Sequence, residues 1–148
     1  MSHAGMRHEL LRERLRERRW RITPQRRSVV EALSGPNLHL TAEEIFARAR
    51  AVVPEISRAT VYNTLRELVE MGELAEMQIG PGPALYDPNA VVHHHHLVCS
   101  GCGRIHDIHP LGVKHLYLRE EDRDGFELQR VEVVFHGRCR ACEESEDT

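Results

Sequence analysis

Two Cys-x-x-Cys pairs contain every cysteine of the 148-residue chain and constrain its fold more than any other feature. The first pair is Cys99 and Cys102; the second, Cys139 and Cys142, begins 37 residues after the first ends. Four thiolates in two closely spaced pairs suit one closed tetrahedral zinc site. The alternative is a pair of redox dithiols, but a redox Cys-x-x-Cys usually opens a helix in a βαβ unit, and neither pair does. We therefore predict that all four cysteines bind a structural Zn²⁺.

Charge is unevenly distributed along the chain, although the net charge is only -3. Residues 7–27 contain nine arginines, among them Arg21, against three glutamates, whereas the tail at 143–147 is acidic. A basic end on a slightly acidic protein indicates contact with nucleic acid at that end. The alternative interpretation is a solvated amphipathic helix.

The chain lacks the sequence features of a membrane or exported protein. No apolar run approaches the roughly 20 residues that a membrane-spanning helix needs, and the N-terminal residues lack the apolar core of a signal peptide. We therefore expect a cytoplasmic protein with no membrane partner. In that compartment, paired Cys-x-x-Cys motifs bind metal more often than they form disulfides.

The first third of the chain has helical patterns. Residues 6–19 place leucines on one stripe between charges. Thr23-Pro24 provides a cap and a first-turn proline for a second helix, which Gly35-Pro36 should stop. Residues 41–44 form a capping box that opens a third helix, which ends before Pro54.

A fourth helix and a hairpin follow. Ser57 caps a helix that should run to Gly72, and strands at 74–79 and 85–87 are joined by the turn at 80–83. Helices followed by a hairpin predict a winged helix-turn-helix, in which the helix after the tight turn enters the major groove of DNA. The alternative is an ordinary surface helix in a bundle. The residues that we predict to contact DNA are Arg21 and, near the start of this helix, Ser57, Arg58, Thr60, Tyr62 and Asn63.

From residue 88 onward the pattern favours strands, at 97–98, 104–108 and 127–135, with a helix at 111–121. This part has about fifty residues, too few to bury a good core alone, so it should need a metal, a partner chain or both. We predict an α+β protein with a winged-helix domain at 1–87, a small metal-binding α/β domain at 88–142 and an acidic tail at 143–148.

Four consecutive histidines precede the first cysteine pair and are too many for its one metal. On a strand, His94 and His96 would share one face and His93 and His95 the other. One alternate pair with carboxylates makes a mixed nitrogen/oxygen site that suits Fe(II), Mn(II) or Zn(II). The other candidate ligands are His39, Asp87, His106, Asp107, His109, His115 and His136.

These motifs together resemble the ferric uptake regulator family of metal-dependent repressors. The matching stretches are 21–26 (RITPQR), 39–44 (HLTAEE), 57–65 (SRATVYNTL), 93–99 (HHHHLVC) and the closing Cys139-x-x-Cys142. The resemblance implies a homodimer with an N-terminal winged-helix domain that reads DNA and a C-terminal dimerisation domain. It also implies that the four cysteines hold the structural zinc.

The resemblance further implies a regulatory metal site at the hinge between the domains. Its ligands would be His39, Asp87, His94, His96 and Asp107. Asp at position 107, where iron-uptake members usually carry Glu, and Asn63 after Tyr62 are typical of peroxide-sensing members. The loop from Asp87 to His94 is one residue longer than in close peroxide sensors.

Some members have an additional site, to which His93 and His95 would contribute here. Its remaining positions match Lys114 and Val131, so the site is incomplete unless His115 or a glutamate at 120–121 substitutes.

We therefore expect a dimeric, metal-dependent transcriptional repressor, not an enzyme, that binds double-stranded operator DNA and senses peroxide through Fe²⁺ or Mn²⁺. One alternative is an iron- or manganese-responsive uptake repressor without peroxide sensing. Two others are a zinc-stapled interaction module that does not bind DNA and a zinc hydrolase.

Overall fold

The computed structural model describes residues 11–35, 38–90 and 94–145. The chain forms two compact units, Met1–Val92 and His93–Thr148, called here the N-terminal and C-terminal units. Four helices and a small sheet make up the first, and a second sheet with short helices makes up the other, so the predicted α+β class is confirmed. The predicted domain limits at 87 and 142 stay predictions. No helix in the described ranges is both long and apolar enough to cross a membrane.

The helices of the N-terminal unit begin where the capping residues predict. The described part of α1 covers residues 11–17; α2 is Pro24–Ala32, α3 is Ala42–Val52 and α4 is Arg58–Glu70. The hydroxyls of Thr23, Thr41 and Ser57 accept hydrogen bonds from backbone N–H groups three residues on. Each such cap stabilises a helix by about 1 kcal/mol. The start of the predicted first helix, residues 6–10, lies outside the described residues.

The core of the N-terminal unit is formed by the apolar faces of these helices. Leu15, Val29, Ile45 and Leu68 are fully buried, and each contributes about 1.5–3 kcal/mol by leaving water. Both predicted glycine stops lie beyond the observed helix ends, because α2 ends at Ala32 and α4 at Glu70. Pro36 lies outside the described residues.

The predicted hairpin is present, with a shorter first strand. β2, Ala75–Met77, pairs antiparallel with β3, Leu85–Asp87. A strand that we did not predict, β1 at Leu40–Thr41, pairs with the other edge of β3. Two residues are too short for an alternating pattern, so the sequence carries no sign of this strand.

The C-terminal unit is built on a three-stranded sheet in the order β5-β4-β6. β4 is His95–Cys99, β5 is Ile105–Ile108 and β6 is Val134–Gly137. β5 runs antiparallel to β4, and β6 runs parallel to it. Helix α6, Arg140–Glu144, follows β6 directly, so the two cysteine pairs lie at the same end of the sheet.

Two predictions for this unit are wrong. The strand predicted at 127–135 exists only from residue 134, because pairing begins where the backbone N–H of His96 donates to the carbonyl of Val133, 3.1 Å away. The helix predicted at 111–121 is replaced by a 3₁₀ turn at Val113–His115 and a short α5 at Glu120–Arg123. Residues 116 and 119 have extended backbone angles that interrupt any continuous helix.

Large apolar side chains remain exposed on the C-terminal unit. Tyr117 is 83% exposed and Phe126 is 71% exposed, and the other exposed members are Leu97, Leu111, Leu116, Leu118, Leu128, Val131 and Phe135. A fold of this size cannot bury such a set by itself. Five of them line one surface pocket: Leu116, Tyr117, Leu118, Leu128 and Val131. Clustered exposed apolar side chains usually mark an interaction surface. We call this set the apolar face.

Candidate metal centres

The four cysteine sulfurs converge as predicted, with every pair of Sγ atoms within 4.8 Å. The Cys99 and Cys142 sulfurs are 3.8 Å apart, as are those of Cys102 and Cys139. A disulfide would need about 2.05 Å, whereas four sulfurs bound tetrahedrally to zinc at about 2.3 Å lie about 3.8 Å from each other. The thiols are therefore free of disulfides and form a Cys₄ site that fits zinc.

Backbone groups next to this site constrain the positions of the cysteine sulfurs. Cys139 is the N-cap of α6, and its backbone N–H donates to the Cys99 sulfur over 3.3 Å. A Cβ atom on Gly101 would lie 2.8 Å from the Cys142 sulfur, a distance that no side chain can occupy without displacing that ligand. The glycine between the first two cysteines is therefore a steric requirement of the site.

The electrostatic environment favours the thiolate form of Cys99. Backbone N–H groups, first that of Cys102 and then that of Cys139, lower the pKa of Cys99 to about 5. Hydrogen bonding with neighbouring sulfurs, first that of Cys139, favours the protonated form of Cys142 and raises its pKa to about 12. A bound dication would supply the positive charge that lets all four sulfurs ionise.

In the C-terminal unit, two histidines and one aspartate form a second group of donors. His94 Nε2 lies 3.5 Å from Asp107 Oδ1, and His96 Nε2 lies 3.7 Å from the same oxygen. All three side chains are at most 6% exposed. His94 directly precedes β4 and His96 lies within it, so alternation along this segment places both on one face, and the antiparallel register sets Asp107 directly opposite His96. Two histidines and one carboxylate are the donor set of many non-haem Fe(II) centres.

The N-terminal unit contains a buried histidine–aspartate pair. His39 Nε2 and Asp87 Oδ2 are 3.4 Å apart, with side chains 3% and 2% exposed. His39 directly precedes β1 and Asp87 ends β3, so the unpredicted pairing of these strands brings the two together. The backbone N–H of Asn89 donates to the other Asp87 oxygen over 2.8 Å. The donors suit Fe(II), Mn(II) or Zn(II).

The predicted additional site has fewer potential metal ligands close together among the described residues. His95 Nδ1 accepts a hydrogen bond from the backbone N–H of Val133 at 3.0 Å. Within the described ranges, no group of three donor atoms includes His95, and His93 lies outside them. Lys114 and His115 line the same surface pocket as His95, so a further site there stays a prediction.

The exposed side of α4 carries the predicted DNA contacts. The Arg58 guanidinium binds the Glu43 carboxylate, with Nε 3.1 Å from Oε1, and lies over the Phe46 ring at 4.6 Å. Hydrogen bonding to Glu43 raises the pKa of Arg58. The Tyr62 hydroxyl lies 3.5 Å from the same carboxylate, and Asn63 is exposed beside it.

The remaining residues that we predict to contact DNA are Ser57, Thr60 and Arg21. The hydroxyls of Ser57 and Thr60 lie 3.0 Å apart at the helix cap. The Arg21 side chain is exposed, while its carbonyl accepts a hydrogen bond from Arg26 at 3.0 Å.

Some arginines of the basic segment bind acidic groups within the unit. The Arg14 and Arg18 guanidiniums both contact the buried carboxylate of Glu73. Arg26 binds Glu67 at 2.7 Å. Counting charges along the sequence missed this, because the acidic partners are 41 to 59 residues away.

Comparison with known proteins agrees with this architecture. The ferric uptake regulator family matches residues 17–144. The ferric uptake regulation protein of Synechococcus elongatus is 30% identical over 91% of this chain and 94% of its own length. The peroxide operon regulator of Bacillus subtilis is 33% identical over 91% and 92%. The structure of the Helicobacter pylori ferric uptake regulator, described as having three functional metal binding sites, has the same fold, with a TM-score of 0.69 at 24% identity over 98% of this chain and 97% of that one. The chain therefore belongs to the ferric uptake regulator family of metal-responsive transcriptional regulators.

Proposed function

We propose that the protein is a dimeric, metal-activated repressor that binds operator DNA in the cytoplasm and senses peroxide through Fe(II). The observation that carries this proposal is the buried group of His94, His96 and Asp107. Its donor set favours Fe(II) or Mn(II) and leaves coordination positions for further ligands. A separate Cys₄ site serves zinc, so the two metals need not compete for one set of donors.

The further ligands in this proposal are His39 and Asp87. They would complete a five-donor site with three nitrogens and two carboxylates. Metal binding that needs donors from both units favours the inter-unit geometry in which all five can be reached. A metal shifts this equilibrium only by binding the DNA-competent geometry more tightly than the others.

Peroxide sensing follows from the same donors. Fe(II) held by these donors would supply the reducing power that cleaves the O–O bond of peroxide beside the imidazoles, whereas Mn(II) held by the same donors would be far less reducing. An imidazole of His39 or His94 that took up one oxygen atom from peroxide, with the other oxygen leaving as water, would become heavier by 16 Da and would bind metal less well. As the resemblance implies, Asp rather than Glu at position 107 favours peroxide sensing over uptake control.

DNA binding is supported by the exposed start of α4. Arg58, Tyr62 and Asn63 project from the helix that follows the tight turn, and Arg and Asn side chains can read base edges. In a dimer, two such helices would enter successive major grooves about 34 Å apart.

Dimerisation is supported by the apolar face. Side chains such as Tyr117 and Phe126 would leave water in a contact with a second copy of the unit. Burial of apolar surface contributes about 25 cal/mol per Å², so a self-association of this face would add the core that the C-terminal unit lacks.

The test is operator binding by Fe(II)-loaded and Mn(II)-loaded protein, each before and after a low dose of peroxide. We expect peroxide to release only the Fe(II) form, with a 16 Da increase on a peptide that contains His39 or His94. If both forms stay bound to the operator, the protein responds to the supply of metal instead, as an iron- or manganese-responsive repressor.

Two variants separate the metal site from the DNA-contacting helix. His94→Ala should abolish metal-dependent operator binding, whereas His109→Ala, which changes an exposed histidine of the same unit, should not. Arg58→Ala should weaken operator binding while leaving Mn(II) affinity unchanged. Unaltered metal-dependent binding by His94→Ala would remove the basis for the site.

A further inference from the structure

His96 has a polar neighbour on each of its ring nitrogens. Nε2 faces Asp107, as does Nε2 of His94. Nδ1, on the other side of the ring, lies 3.3 Å from Glu132 Oε1. The His96 side chain is 2% exposed, whereas Glu132 is 34% exposed, so the carboxylate reaches the buried ring from the edge of the unit.

The sheet register explains why Glu132 reaches this ring. β4 and β6 run parallel, with His96 beside Val134. The backbone just before β6 is held against β4 because the N–H of His96 donates to the Val133 carbonyl over 3.1 Å. The N–H of Val133 in turn donates to the ring of His95. Residues 132–133 thus contact both histidines, one through a side chain and the other through the backbone.

A carboxylate at Nδ1 has a defined effect on an imidazole. It favours the tautomer with the proton on Nδ1, which leaves the Nε2 lone pair available. It also makes Nε2 a stronger metal ligand and limits rotation of the ring. Since Nε2 is the nitrogen directed at Asp107, the effect falls on the atom that would bind metal.

Arg130 adds a second contact to this carboxylate. Its guanidinium lies 2.8 Å from Glu132 Oε2, the oxygen that does not face His96. One oxygen of the Glu132 carboxylate therefore faces the buried His96 imidazole, and the other faces the Arg130 guanidinium. Because the Arg130 side chain is 63% exposed, this ion pair restrains Glu132 only weakly.

We propose that Glu132 is a positioning residue for the regulatory metal: it holds His96 in the tautomer and orientation that present Nε2 to the ion without binding the ion itself. This inference rests on the proposed function, because it takes His96 as a ligand. The sequence match to the family did not point to position 132. The assignment comes from the 3.3 Å contact and the register of β6.

The experiment compares Glu132→Ala and Glu132→Gln with the wild-type protein, all zinc-loaded at the cysteines. Glu127→Ala is the matched control, since it removes an exposed carboxylate from the same segment. Mn(II) affinity is measured by electron paramagnetic resonance titration. The His96 tautomer is read from ¹⁵N-labelled histidine by NMR before Mn(II) is added.

We expect Glu132→Ala to weaken Mn(II) binding about 10–100-fold and to lose the Nδ1-protonated signature of His96. Glu132→Gln keeps an oxygen acceptor without the charge, so it should retain the tautomer and lose less affinity. Glu127→Ala should change neither readout. If the alanine variant does not fold, the affinity of Glu132→Gln decides alone, and an Mn(II) affinity within twofold of wild type would then overturn the role of Glu132.

Mn(II) affinity within twofold of wild type for both variants, with an unchanged tautomer, would overturn the role of Glu132. Failure of the proposed function gives a different result: wild-type protein would bind no Mn(II) that depends on His94. In that case, the tautomer comparison still decides whether Glu132 orients His96.

Discussion

Replacing Glu73 with alanine should destabilise the N-terminal unit by about 2–4 kcal/mol. The Glu73 side chain is 4% exposed and contacts two arginines, Arg14, which is 25% exposed, and Arg18, which is 51% exposed. Removing one partner from a fully buried pair costs about 3–5 kcal/mol, whereas exposed pairs contribute about 0.2–1 kcal/mol. Arg14 should therefore account for most of the loss, because its guanidinium is left largely buried beside a cavity.

Urea unfolding followed by circular dichroism measures this loss, with Glu70→Ala as the matched control. Glu70 is an exposed acid in the last turn of α4, so its removal should change stability by no more than about 0.5 kcal/mol. The double variant Arg14→Ala/Glu73→Ala should lose less than the sum of the single losses, because the two residues interact directly. Additive losses, or a Glu73→Ala effect as small as that of Glu70→Ala, would refute the reasoning.

Three further predictions concern the zinc site, the core and a helix cap. Gly101→Ala should weaken zinc retention in a chelator competition, because the added Cβ would lie 2.8 Å from the Cys142 sulfur. The control Gly82→Ala adds a Cβ in open space and should not weaken it. Equal zinc retention by the two variants would contradict the steric argument. Leu15→Ala should lower the free energy of unfolding by about 2–5 kcal/mol, since Leu15 is fully buried; a loss below about 1 kcal/mol in urea titration would count against the described packing of α1. Thr41→Ala should cost about 0.5–2 kcal/mol, because it removes one half of the capping box with Glu44, and an unchanged urea midpoint would show that the cap contributes nothing.

Local chemistry explains which parts of the fold were predictable. Thr23, Thr41 and Ser57 each mark a helix start because a cap acts within three residues. The cysteine site was predictable for a similar reason, since each pair presents two sulfurs from a short turn. Within each cap and within each Cys-x-x-Cys pair the groups are close in sequence, so spacing carries the information; the meeting of the two pairs, 37 residues apart, was inferred from the four ligands that zinc needs.

The errors arose where distant segments decide the outcome. Alternation at 127–135 indicated an extended segment but not where a neighbouring strand would pair with it, and pairing begins only at Val134. Strand β1, the ion pair of Glu73 with Arg14 and the contact of Glu132 with His96 join residues that no short pattern connects. The candidate ligands His39 and Asp87 were named by resemblance, and the pairing of β1 with β3 supplies the physical reason that they meet.

Strand alternation makes the adjacent histidines of β4 unable to replace each other. His95 faces the backbone of Val133, while His96 faces Asp107 and Glu132. A slip of one residue in β4 would exchange these surroundings completely, and Cys99 at the end of the strand, tied to the other three sulfurs, holds the register against such a slip. During evolution, insertions or deletions between residues 95 and 99 would therefore destroy both metal centres at once, whereas point substitutions could retune one and leave the other intact.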